Sequence, residues 1–251
     1  MPPVITQDDP RLISFNTLRK TVGWLGILLP AAMLLGNFLF SNCRVIQDSN
    51  SHYFYTSTGS IFIGILCAVA MFLIAYQGYP EEKTDNVLTT VAGICALGIA
   101  FFPTNDNSSE SCAIIHLAPS PGRNTAHLLF AATFFLVLAW ISYFLFTKSR
   151  GFKTHSKAMR NSVYRTCGIL IVVFVALIAA YWKFSSNLHA LDKYRPVFWL
   201  EWGALIAFGF SWLVKGELVM TDTPEEKAMV VQEAARALQE SAALPAQLKQ
   251  Q

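Results

Sequence analysis

Glu201 and His127 are the side chains of this sequence best suited to proton or ligand chemistry in an apolar setting. Glu201 is the one charged residue in the run from Pro196 to Val214. A carboxyl group in hydrocarbon is costly unless it is neutral, paired or facing a polar cavity, so it marks a functional site by default. His127 opens a second apolar run, Ala126 to Thr147. An imidazole gains or loses a proton near neutral pH. A carboxyl group and an imidazole at one depth can act as general acid and base, hold a proton or cation, or hydrogen-bond one helix to another. Asn37, near the end of an earlier run, lies at comparable depth, as do the hydroxyls of Ser57, Thr58 and Ser60. His116, His52 and Asp106 lie in the flanking polar segments and complete the set of ligand-binding candidates. For Asn37 helix packing is the better reading, and for Ser57 and Thr58 it is helix capping.

No HExxH, GxSxG or CxxC spacing occurs. The sequence therefore points to no metal, no cofactor and no motif-defined hydrolase. Whether the chain is an enzyme stays open.

These residues must be positioned by helices that cross a bilayer. Hydrophobic residues make up 53% of the 251, and charged residues only 14%. A soluble domain carries about a quarter charged residues. The mean hydropathy is +0.41. Six runs approach the roughly 20 residues that span hydrocarbon: Thr21–Phe40, Gly59–Tyr79, Val87–Pro103, Ala126–Thr147, Val163–Trp182 and Pro196–Val214. The expected fold is all-α, a polytopic membrane bundle of six transmembrane helices. Residues 1–20 precede it, 21–215 form it, and 216–251 form a tail. The first run begins too late, and runs too long, for a signal peptide.

Lys and Arg orient the bundle. With both termini on one side, only Arg44, Arg123, Lys183, Lys193 and Arg195 of the 19 fall on the other. The positive-inside rule then places both termini in the cytoplasm. The basic segment from Lys148 to Arg160 reads as a topology signal, and the net charge of +3 gives no case for nucleic acid. Cys43 and Cys112 fall in the first and second outer loops, where they can pair as a disulfide or stay as free thiols. Pro30 should kink the first span, and small residues such as Gly64, Gly93 and Gly203 let helices approach closely. In the tail, Thr223, Pro224 and Glu226 form a capping box that starts a helix over 224–243, with Pro245 as its stop. That helix is either solvated or a docking surface for a protein partner.

A resemblance adds to this reading. The run Phe198-Trp199-Leu200-Glu201-Trp202-Gly203, continuing to Ala207-Phe208-Gly209-Phe210, is similar to the last span of the DRAM/Sfk-type six-span membrane proteins. Thr58-Gly59-Ser60 leading to Tyr76, and His127-Leu128-Leu129-Phe130-Ala131, resemble that group's second and fourth spans. The exit Tyr76-Gln77-Gly78-Tyr79 also resembles uncharacterised bacterial multi-span proteins. The resemblance implies a six-helix bundle that acts in or on lipid membranes, and it bears on Glu201, Trp202, His127, Thr58 and Gly59. Three functions follow in order of expectation. The first is lipid binding or handling through a polar cavity open to the outer leaflet, with membrane lipid as the partner. The second is a non-catalytic scaffold or assembly subunit. The third is a transporter coupled to a proton or cation.

Overall fold

The computed structural model describes residues 10–41, 44–76, 83–106, 112–148 and 154–248. Among these, all regular structure is helical. The α-helices are α1 (Pro10–Phe40), α2 (Gly59–Ala75), α3 (Lys83–Phe101), α4 (Pro121–Trp140), α5 (His155–Lys183), the single turn α6 (Ser185–Leu188), α7 (Pro196–Lys215) and α8 (Pro224–Leu248). Five are long and apolar enough to cross a membrane: α1, α3, α4 with its continuation to Leu145, α5 and α7. Apolar side chains such as Leu35, Leu129, Leu136, Ile169 and Val172 stand exposed on their outer faces. A soluble monomer rarely exposes so much apolar surface. Length, composition and exposure together fit an integral membrane protein.

Helix α2 is apolar but has only 17 residues. That is about 26 Å of helix, against about 30 Å of hydrocarbon. The sequence expects this run to reach Tyr79, and residues 77–82 lie outside the described ones. Helix α1 differs in the other direction. It starts at Pro10 rather than Thr21, so much of the expected leading segment is helix. Polar contacts support this extension: Arg19 donates to the Tyr76 hydroxyl at 3.1 Å and to Asn16 Oδ1 at 3.0 Å.

The helices form a ring in chain order. Helix α1 packs on α2, α2 on α3, α3 on α4, α4 on α5 and α5 on α7, and α7 closes the ring on α1. Helix α7 also touches α4 across the middle. Met33, Leu73, Leu138, Ile171, Phe198, Phe208 and Trp212 are fully buried in the centre. Backbones approach closely between α1 and α7: a Cβ on Gly209 would lie 2.4 Å from the Gly23 carbonyl oxygen. Gly64, expected at such a contact, has nothing within 4 Å of the space a Cβ would fill. Pro30 lies inside α1 and leaves the Gly26 carbonyl without its usual donor. Trp202 Nε1 of α7 donates to the adjacent carbonyl, Ile27 O, at 3.2 Å, which ties the disturbed turn to α7. Helix α4 ends in a π-helical turn, Ile141–Leu145. There Ser142 Oγ donates to Tyr164 O of α5 at 2.9 Å.

The tail is anchored by its first turn. Thr223 and Glu226 form the expected capping box: Glu226 N–H donates to Thr223 Oγ1 at 3.2 Å, and Thr223 N–H to Glu226 Oε2 at 3.1 Å. The other oxygen, Oε1, accepts from Ser156 N–H of α5 at 2.9 Å. Arg160 grips both carboxylate oxygens of Asp222 at 2.9 and 3.0 Å. Helix α8 runs through Pro245 to Leu248, past the expected end at 243. A proline so close to the end removes few backbone bonds, and the Ala-rich run before it favours helix.

Candidate functional site

The site forms where the α1–α2 connection folds onto the start of α7. A 3₁₀ helix, Asn50–Tyr55, packs against α1, α2 and α7. Ser49 caps it, its hydroxyl accepting from His52 N–H at 3.3 Å. The preceding residues are stitched to α7. Arg195 bonds the Asp48 carboxylate, and Phe198 N–H donates to Asp48 O at 3.1 Å. Asn50 N–H donates to Glu201 Oε2 at 2.7 Å. Arg195 itself is left-handed, with φ of 52°. That conformation costs a non-glycine residue about 1–2 kcal/mol. The Asp48 contact and the fixed first turn at Pro196 hold it in place.

His127 is buried on the inner face of α4. Its Nδ1 lies 2.8 Å from Phe102 O, and its Nε2 lies 3.0 Å from Ser51 Oγ. A carbonyl oxygen only accepts, so Nδ1 carries the hydrogen. In the neutral ring Nε2 is then an acceptor, and the Ser51 hydroxyl donates to it. His52 repeats the pattern nearer the surface: Nε2 lies 3.2 Å from Asn105 O, and Nδ1 lies 2.7 Å from Ser49 Oγ. Burial pulls the His52 imidazole below its ordinary pKa, against the carboxylates of Asp48 and Asp106 and the bond to Asn105.

These groups line a cavity of about 490 Å³. Ser49, Ser51, His52, Thr104, His127 and Glu201 give it a polar interior; Leu128, Ala131, Trp182 and Val197 give it apolar wall. Tyr181, His189 and Asp192, joined by hydrogen bonds, stand at its edge, where His189 and Asp192 are exposed. The Asp192 carboxyl is held below the usual carboxylate range by the hydrogen bonds from Tyr181 and His189. Glu201 keeps accessible surface although protein surrounds it, because that surface faces the cavity. A second, apolar crevice of about 40 Å³ lies beside it between the helices. It is lined by Leu29, Phe62, Leu66, Ile99, Phe134 and Leu205, and it shares Ser51, Ala131 and Glu201 with the polar cavity.

No protein-family model, curated protein or solved structure matches the chain.

Glu201 and His127 line one cavity, and His52 joins them. They are not a direct pair: both His127 ring nitrogens engage other groups, and Glu201 holds the Asn50 amide. Asn37 is buried away from the cavity, where its Oδ1 accepts from Ser41 Oγ at 3.1 Å and Ser57 Oγ at 3.2 Å, tying α1 to the start of α2. Thr58 is the N-cap residue of α2, but its side chain makes no capping bond; its Oγ1 lies 2.9 Å from Thr56 Oγ1. Ser60 and His116 are exposed and absent from the described lining. Cys112 is disulfide-bonded, and Cys43 lies outside the described residues. Among the described residues no group of three His, Cys, Asp or Glu side chains could hold a metal. Sequence reasoning missed Ser49 and Ser51. The signal was present in the polar run Gln47-Asp48-Ser49-Asn50-Ser51-His52 just ahead of an apolar span.

Proposed function

We propose that the cavity binds a membrane lipid, with its polar head against Glu201, His127 and Arg195 and the first carbons of its chain at the apolar crevice. The carrying observation is that a polar cavity and an apolar crevice adjoin, with Ser51, Ala131 and Glu201 lining both. An amphiphile fits that sequence of surfaces; a purely polar solute would leave the crevice dry and unfilled. The volume of about 490 Å³ suits a small organic group, since ligand pockets run about 300–1,000 Å³. The same reading has α2 completing six spans, with both termini in the cytoplasm by the distribution of Lys and Arg. The cavity then opens toward the outer leaflet. The resemblance of spans two, four and six to the DRAM/Sfk-type group favours the same membrane setting.

The test is purification of the wild type beside Glu201→Gln and His127→Ala, followed by mass spectrometry of co-purified lipid. The expected result is a lipid class retained by the wild type and depleted in His127→Ala. Identical lipid in folded variants would refute it and favour a packing role. Proton-coupled uptake into proteoliposomes, abolished in Glu201→Gln, would refute it in favour of transport.

A further inference from the structure

We propose that Ser51 and His127 are a nucleophile and its base, which cleave a carboxylic ester of the lipid held in the cavity. This rests on the lipid reading of the same cavity and names the chemistry done there. Three observations carry it. First, the hydrogen-bond directions are those of an activated hydroxyl. Phe102 O fixes the hydrogen on Nδ1 at 2.8 Å, so Nε2 faces the Ser51 hydroxyl at 3.0 Å as an acceptor. A nucleophile in reach of a base that a third group orients is the general signature of covalent catalysis. Here the orienting group is a backbone carbonyl. Second, Ser51 lies where the polar cavity meets the apolar crevice. In an ester lipid the acyl carbonyl lies at the same boundary, between head and chain. Third, the pair is built by tertiary structure, between residues 76 positions apart. The Ser49–His52 pair is local, and Ser49 Oγ also accepts the His52 N–H as a helix cap.

The reaction balances with water alone. Ser51 Oγ attacks the acyl carbonyl as its proton passes to His127 Nε2. The tetrahedral intermediate breaks its bond to the alcohol oxygen, which takes that proton and leaves as the lyso-lipid. Water, deprotonated by Nε2, attacks the acyl-serine; Ser51 recovers its proton, and the fatty acid leaves. The Asn50 carboxamide lines the crevice beside Ser51, and its Oδ1 is buried without a hydrogen-bond partner. Its Nδ2 donates to Phe198 O at 3.5 Å, which positions the carboxamide next to the nucleophile. Glu201 is a positioning residue, since it holds the Asn50 amide one residue from the nucleophile.

The experiment uses the full chain in lipid nanodiscs, a fluorophosphonate as trap for the serine, and p-nitrophenyl palmitate as ester. Phosphorus forms its bond to Oγ as fluoride leaves, and peptide mass spectrometry locates the adduct. The expected result is an adduct on Ser51 and ester hydrolysis that falls about 10²-fold or more in His127→Gln, the scale of general-base catalysis. Ser51→Ala should lose both adduct and turnover. Ser60→Ala, exposed and outside the cavity, should keep both. Thermal unfolding of each variant shows that it is folded, and Ser51→Thr, which keeps a hydroxyl, should retain labelling if the alanine variant does not fold. Folded wild type that retains lipid, yet shows no Ser51 adduct and no Ser51-dependent hydrolysis, would overturn the esterase and leave the lipid site standing. Folded wild type without any lipid would overturn the lipid reading itself.

Discussion

Truncating Glu201 should loosen the loop that carries Ser51, and the cost can be worked from one hydrogen bond. Asn50 N–H donates to Glu201 Oε2 at 2.7 Å. Glu201→Ala leaves that amide without its acceptor, which costs about 1–3 kcal/mol for a buried donor. The cavity admits water beside Glu201, so the lower half of that range applies, about 1.5 kcal/mol. Glu201→Gln keeps an oxygen at the same reach and should cost about 1 kcal/mol or less. For a chain of this size about 1 kcal/mol shifts the melting temperature by about 2–4 °C. The alanine variant should therefore melt about 3–6 °C below wild type, and the glutamine variant within a smaller interval. Tryptophan emission during heating in nanodiscs reads this directly, since Trp199 and Trp202 flank the residue. Hydrogen exchange at Asn50 and Ser51 should rise in the alanine variant ahead of the rest of the bundle. An alanine variant as stable as wild type, with unchanged exchange there, would refute the anchoring role.

In the tail, hydrogen bonds from Ser156 and then the Thr223 amide hold the Glu226 carboxyl at a pKa of about 2, below the unfolded value of about 4.3. The cap contribution is therefore full above about pH 4.3 and lost as pH falls toward 2; exchange at residues 223–227 should rise across that window, and a flat profile would contradict the cap. Gly209→Leu should lower the melting temperature, because its Cβ would meet the Gly23 carbonyl oxygen at 2.4 Å and overpacking costs about 1–3 kcal/mol. Gly64→Leu should change it little, since nothing lies within 4 Å of that position. Non-reducing peptide mapping should find Cys43 joined to Cys112, and an alkylated thiol at either position in fresh protein would refute the pairing.

The helices were legible because their signal is local. Runs of apolar residues near span length need no tertiary information, and all six runs contain a helix. Their ends were less legible. Helix α1 extends back to Pro10 through a polar turn that Arg19 ties to Tyr76, a contact between residues 57 positions apart. Glu201 and His127 stood out as polar residues in apolar surroundings, and depth alone placed them on one level. Depth does not set which way a side chain turns around its helix. Asn37, Ser57 and Thr58 share that level but turn into the seam between α1 and α2. Ser51 was hidden for the opposite reason: it belongs to a loop, and its role exists only because the 3₁₀ helix folds back under His127.

A lipid bound as proposed brings the first carbons of its chain to the crevice between the helices. The most direct test is a phospholipid carrying a diazirine on the acyl chain near the carbonyl, incorporated in nanodiscs with the full chain, irradiated and mapped by peptide mass spectrometry. The expected result is adducts on crevice residues Phe62, Leu66, Phe134 and Leu205, reduced in His127→Ala. Adducts confined to the outward-facing Leu35, Leu129, Ile169 and Val172 would contradict it.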